Sequence, residues 1–129
     1  MTRGPTNAAA LAAALREGRI TAEELVRACL DRIAAADPAV QAWAFLDPDH
    51  ARAQARRAAR ARARGEPLGP LHGLPVGVKD IFDTEDMPTE DGTVLHQGRR
   101  PRRDATAVSL LRQAGAIILG KTVTTELAV

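Results

Sequence analysis

The chain has 129 residues, 45% of them apolar, and a formal net charge of +2: enough for one buried core, too little charge for a global electrostatic case for nucleic acid. A single cysteine, Cys29, excludes an internal disulfide framework, and no run approaches the roughly 18 apolar residues of a membrane span. The start MTRGPTN lacks the apolar middle of a secretory signal, so the expected setting is the cytoplasm, away from any membrane.

Thr6 or Asn7 can cap a first helix carrying Leu11 and Leu15, with Gly18 as its stop. Thr21 and Glu24 form a capping box that opens a second helix. Its residues Leu25, Val26, Cys29, Leu30 and Ile33 fall in an arc of about 140° at about 100° per residue, so that face needs a partner. QAWAFL, residues 41–46, fits a short strand with Trp43 and Phe45 on one side. Asp47-Pro48 then caps and starts a helix that should run to about Arg64, before Gly65. Ala51, Ala55, Ala58 and Ala59 make its inner stripe; Arg52, Arg56, Arg57, Arg60 and Arg64 occupy the other side.

LPVGV, residues 74–78, reads as a strand ending at Lys79-Asp80. Residues 83–103 carry acidic and then basic material with little periodicity, expected as an exposed loop in which DTEDMPTED faces GRRPRR. Asp104 can cap a helix through Ala114, with Gly115 as the stop, and AIIL, residues 116–119, looks like a buried strand. Gly120-Lys121-Thr122 is expected to turn the chain away, with Lys121 structural. Helices alternating with strands indicate the α/β class.

Several strings invite a functional reading. GAIILGKT, residues 115–122, satisfies the phosphate-loop pattern, but that motif needs a strand, then a glycine-rich loop, then a helix. Here a helix stop and an apolar strand occupy the loop positions, so no nucleotide cofactor is expected. The arginine helix lacks aromatic residues for stacking, and a solvated face accounts for it better than nucleic acid does. The acidic run lacks calcium-loop spacing, and His50, His72 and His96 have no ligand-type spacing, so no metal is expected.

Lys79 stands apart. Arg occurs 16 times and Lys only twice, at Lys79 and Lys121. At the end of an apolar strand the Lys79 ammonium is expected beside the core, where desolvation favours the neutral amine, and a neutral lysine can act as a base as no arginine can. The competing account is an ordinary ion pair with a neighbour such as Asp80.

GPLHGLPVGVKDIFDTEDMPTEDGT, residues 69–93, resembles the start of the conserved core of the amidase signature family, and RPRRDATAVSLLRQAGAIILGKTVTTELA, residues 100–128, continues it in the same order. The resemblance implies an α/β/α sandwich around a mixed sheet, of which residues 1–129 are an incomplete N-terminal part: helical over 1–40, with the core motifs in 67–129. It also implies hydrolysis of a carboxamide by a Ser, cis-Ser, Lys triad, with Lys79 matching the catalytic lysine. Both family serines lie downstream of the GKT block, and Ser109, the only serine here, sits in a helix. GKTVTTE is closer to the general amidase branch than to the tRNA-linked amidotransferase branch.

The last residues, Glu126 to Val129, stop in apolar material, so the front part of a larger domain is expected, inactive alone. A small amide would be its substrate only once the fold is completed. The alternative is a non-catalytic remnant or split half that binds a complementary C-terminal polypeptide or a second copy.

Overall fold

A computed structural model describes residues 7–129. Four α-helices and three strands follow one another as α1 (Ala8–Glu17), α2 (Ala22–Val40), β1 (Trp43–Leu46), α3 (Pro48–Ala63), β2 (Pro75–Lys79), α4 (Thr106–Gln113) and β3 (Ile117–Thr122), with short 3-10 helices at Val94–His96 and Glu126–Ala128. Local signals account for most boundaries. The Asn7 side chain caps α1, while the alternative cap Thr6 lies outside the described residues. The Thr21–Glu24 box closes in both directions at the start of α2. Asp47 accepts from the Asp49 and His50 N–H groups ahead of Pro48.

The α4 start departs from expectation. Ala105 occupies the cap position without a side-chain bond, because the Asp104 carboxylate is engaged elsewhere, by the Glu85 N–H and the Arg112 guanidinium. Gly115, at φ +96°, ends that helix in a conformation that L-residues rarely adopt.

The sheet order is β1-β3-β2, with β3 antiparallel to β1 and parallel to β2. β3 therefore lies in the centre and continues through Gly120, Lys121 and Thr122; the turn expected at those residues is strand. They pair on both sides, Lys121 with Phe45 and with Val78, which holds them extended.

Two apolar clusters cover the two faces, giving an α/β/α layering. Leu15, Val26, Leu30, Ala51 and Ala55 from α1, α2 and α3 pack on Ile117 and Leu119. On the other face Val108 of α4 and Met87 of the 83–103 loop pack on Val78 and Ile118. The exposed arginine side of α3 is as expected, with Arg52, Arg56, Arg57, Arg60 and Arg64 in solvent. Its buried side holds a residue that periodicity alone would read as polar surface. The Gln54 amide donates to the Ile118 carbonyl at 3.0 Å and accepts its N–H at 3.2 Å, taking the place of a neighbouring strand beyond the end of β1.

Two register shifts overturn simple alternation. One lies between Trp43 and Phe45. As a result, Trp43 packs with the helical cluster and Phe45 with the opposite one, not on the same side. The other makes Val76 pair with Ile118 but Gly77 with Gly120, so β3 holds one extra residue at Leu119–Gly120. Trp43 crosses the strands there: a Cβ on Gly120 would lie 3.0 Å from the indole and 2.5 Å from the Phe45 carbonyl oxygen, and one on Gly77 would lie 2.9 Å from the same ring.

Candidate active site

β2 and β3 run parallel and end together at Lys79 and Thr122. The carboxyl ends of parallel strands are where open α/β sheets gather their ligand groups, since the loops leaving them converge there. Here the loop after β2 folds back over that end. The Asp80 N–H donates to the Thr122 carbonyl at 2.8 Å, the Asp91 N–H donates to the Asp80 carbonyl at 3.0 Å, and the Leu127 N–H donates to the Asp91 carbonyl at 2.8 Å. The Thr93 hydroxyl donates to the Glu126 carboxylate at 2.9 Å.

At the centre lies Lys121, 0% exposed. Its Nζ donates to the Thr89 hydroxyl at 2.7 Å and to the Pro88 carbonyl at 3.2 Å, and it lies 3.1 Å from Asp80 Oδ1. Asp80 is itself only 4% exposed, and its second oxygen accepts the Glu90 N–H at 3.3 Å. Burial pushes the Lys121 ammonium below the ordinary lysine range, and the Asp80 carboxylate pulls it back toward the charged form. The VKD, MPT and GKT strings, scattered over more than forty residues, thus meet at one buried ion pair.

The extra residue in β3 decides which lysine is buried. With strict alternation from Ile117, Lys121 would share the side of Ile117 and Leu119; the shift turns it toward Ile118 and Val78 instead. The desolvated lysine expected at position 79 is therefore found at position 121. Lys79 follows buried Val78 and is exposed. Nor does the competing ion pair form at Lys79, since Asp80 is taken by Lys121, and among the described residues Lys79 has no carboxylate within 4.0 Å. Beside it, Val76, Val78, Phe82, Ala107 and Leu111 line an apolar hollow of about 200 Å³.

The acidic loop also differs from expectation. Thr84, Met87 and Thr89 are buried, because their side chains fill the space under α4 and around Lys121. Its carboxylates are matched except for Glu85, which is exposed. Asp83 takes both guanidinium nitrogens of Arg99 at 2.8 and 3.2 Å, which holds its carboxyl below the usual range. Asp91 faces His96 at 2.7 Å. Asp86 lies between His50 at 2.7 Å and Arg112 at 2.6 Å; burial raises its carboxyl, but these two partners outweigh it and the net direction is down. Of the basic string, Arg99 makes the expected pairing across the loop.

The remaining candidates stay apart. His50, His72 and His96 do not come together, and no group of three or more His, Cys, Asp or Glu could hold a metal among the described residues. His72 is buried, and its burial, with Arg62 adding to it, lowers its proton affinity. Ser109 lies in α4, where its hydroxyl accepts from Gln113 at 3.3 Å. GAIILGKT contains no phosphate cradle, since Ile117–Thr122 is the central strand. No helix among the described residues is long and apolar enough to cross a membrane.

Comparison with known proteins brings the geometry into register with one family. The family model for amidases matches residues 24–129. A glutamyl-tRNA(Gln) amidotransferase subunit of Acidothermus cellulolyticus is 48% identical over 118 residues, which cover 92% of this chain and 23% of that protein. The structure of a peptide amidase from Stenotrophomonas maltophilia superposes with a TM-score of 0.86 at 41% identity, over 94% of this chain and 25% of that one. A structure of a vestigial protein complex, tied to the origins of an s-triazine catabolic enzyme, superposes with a TM-score of 0.88 at 34% identity, over 94% of this chain and 27% of its own. The chain thus spans about a quarter of the length of these relatives, and the residues it shares are a scaffold common to a peptide amidase and a tRNA-linked amidotransferase.

Proposed function

The chain belongs to the amidase family, and on that premise we propose that it is the lysine-bearing part of a hydrolase that cleaves a carboxamide C–N bond, with Lys79 as the base. The observation that carries this reading is the exposed position of Lys79 at the common end of β2 and β3, with no carboxylate partner among the described residues and with Asp80, Asp83, Asp86 and Asp91 engaged elsewhere. An amine without a carboxylate partner is free to meet an incoming hydroxyl, and a base role further requires that the completed site remove it from water.

In the proposed reaction the Lys79 amine takes a proton, relayed through one serine hydroxyl, from a second serine that attacks the amide carbonyl. The C–N bond breaks as the proton passes to the leaving amine. Water then hydrolyses the acyl ester, regenerating the hydroxyl and releasing the acid. Both serines belong to sequence beyond the motifs carried here, and Ser109 does not substitute, being held in α4 on a different element from Lys79. The 129 residues alone are therefore expected not to turn over amides.

The test is hydrolysis of a simple aliphatic or aromatic carboxamide by the 129-residue chain alone, and by the chain fused to the serine-bearing remainder of a relative. Turnover only in the fusion, abolished by Lys79→Ala, is the expected result. Turnover by the chain alone that survives Lys79→Ala would overturn the mechanism.

A second reading, a non-catalytic half that binds a complementary polypeptide, draws on a separate observation. Among the described residues β2 is an edge strand with only β3 beside it, and Phe82, Leu110, Val123 and Leu127 are exposed. Such an edge offers unpaired backbone groups to another strand. Binding of the serine-bearing remainder in trans without turnover would favour this reading over the first.

A further inference from the structure

Carboxylates crowd the end of β2. Asp80, Asp83, Glu85, Asp86, Glu90 and Asp91 all follow Lys79 closely, yet none pairs with it, and only Glu85 lies exposed with no partner of its own among the described residues. Arg99 holds Asp83, His50 and Arg112 hold Asp86, His96 holds Asp91, and Glu90 accepts the Gly98 N–H. Asp80 is a different case from the rest. It is the residue next to Lys79, it is buried, and its partner is the only fully buried charged side chain of the described residues.

The geometry explains how this partner reaches it. In the β2–β3 register Lys121 stands opposite Val78 and Thr122 opposite Lys79, so the two lysines sit one step apart on neighbouring strands. The Asp80 main chain is tied to Thr122 and Asp91, and Oδ2 accepts from Glu90, which leaves Oδ1 for the Lys121 ammonium at 3.1 Å. Asp83 and Asp91 also face Lys121 and carry their own partners, Arg99 and His96.

We propose that Lys121 is a positioning residue for Lys79: by occupying the Asp80 carboxylate from within the sheet, it keeps the adjacent carboxylate from pairing with the Lys79 amine and leaves that amine free of an anionic partner. This inference rests on the reading of Lys79 as a base. A carboxylate released at position 80 would be an unpaired anion on the residue next to Lys79, and an opposite charge that close favours the charged form of an amine. Arginine at position 121 would not be equivalent, because its planar fork does not match a pocket built from one carboxylate oxygen, one hydroxyl and one carbonyl.

The chain has only two lysines, so acetylation by acetic anhydride, read by mass spectrometry, reports each amine separately. The quantity of interest is the rate at Lys79 near neutral pH divided by its rate at strongly alkaline pH, a ratio that cancels accessibility. In the wild-type chain Lys79 should label and Lys121 should be protected. Lys121→Met should lower the Lys79 ratio by about two- to fivefold, the range an exposed ion pair produces. Adding Asp80→Asn to it should restore the wild-type ratio, which no purely structural role for Lys121 would predict. An unchanged ratio in folded Lys121→Met, or no recovery in the double variant, would overturn the proposal. Asp80→Asn alone gives a further arm should Lys121→Met fail to fold: the proposal requires the Lys79 ratio to stay unchanged, and a rise would show that Asp80 already acts on Lys79 and would refute it. The readout involves no turnover, so its failure leaves the hydrolase reading standing, and failure of the hydrolysis test leaves this measurement intact.

Discussion

Lys79 and Lys121 sit one register step apart at the same end of two paired strands, and their surroundings could hardly differ more. Lys121 is fully enclosed and bound to a carboxylate, a hydroxyl and a carbonyl; Lys79 is exposed and unpaired among the described residues. What separates them is one extra residue in β3, which turns Lys121 toward the loop side of the sheet, and the loop that closes over it. Similar chemistry at similar sequence positions thus divides into a structural charge and an available one. A buried ammonium persists only where its partners offset desolvation, and Asp80, Pro88 and Thr89 are those partners.

The comparison predicts unequal responses. Lys121→Met leaves Asp80 buried without its cation and should cost about 3–5 kcal/mol, whereas Lys79→Met, at an exposed site, should stay within about 0.5 kcal/mol. Urea denaturation of both variants measures the gap, and equal losses would erase the distinction between the two lysines.

Next in size is the loop that builds the wall of the Lys121 pocket. Asp86→Asn weakens the bonds to His50 and Arg112, and bonds to charged groups contribute about 1.5–3 kcal/mol each. The folded-state Asp86 carboxyl is held below its ordinary range, so its contribution is present above the unfolded carboxylate range and is lost as pH falls through the lower folded value. The wild-type advantage over Asp86→Asn should therefore shrink on acidification. A difference independent of pH across the acid range would break the assignment.

Gly120→Ala attacks the register shift itself. The added methyl would meet the Phe45 carbonyl and the Trp43 ring, at a cost of about 1–3 kcal/mol. If the shift is what buries Lys121, this variant should also begin to expose Lys121 to acetylation. Destabilisation with Lys121 still fully protected would separate the shift from the burial.

Much of the architecture was legible in the residues. The caps at Asn7, Thr21 and Asp47, the arc on α2, the alanine stripe on α3 and the AIIL strand all follow from bonds and periodicities spanning a few positions. Lys79 stood out by type and by its place at a strand end. Three expectations failed for a shared reason. Trp43 and Phe45 face opposite ways, Asp104 is no cap, and the 83–103 loop is partly core, because each depends on a partner distant in sequence: β3, Arg112 and Glu85, or Lys121. Gln54 carried no signal at all, since its role is defined by the unpaired flank of Ile118.

The sequence by itself determined the class, the order of elements and the family, because helix caps, hydrophobic periods and ordered motif strings are local and survive without knowledge of what lies opposite. Only the tertiary structure decided which lysine is buried and which carboxylate it takes. A period-two pattern cannot record where a strand gains one residue, and the partner of a buried charge is chosen by distance through space.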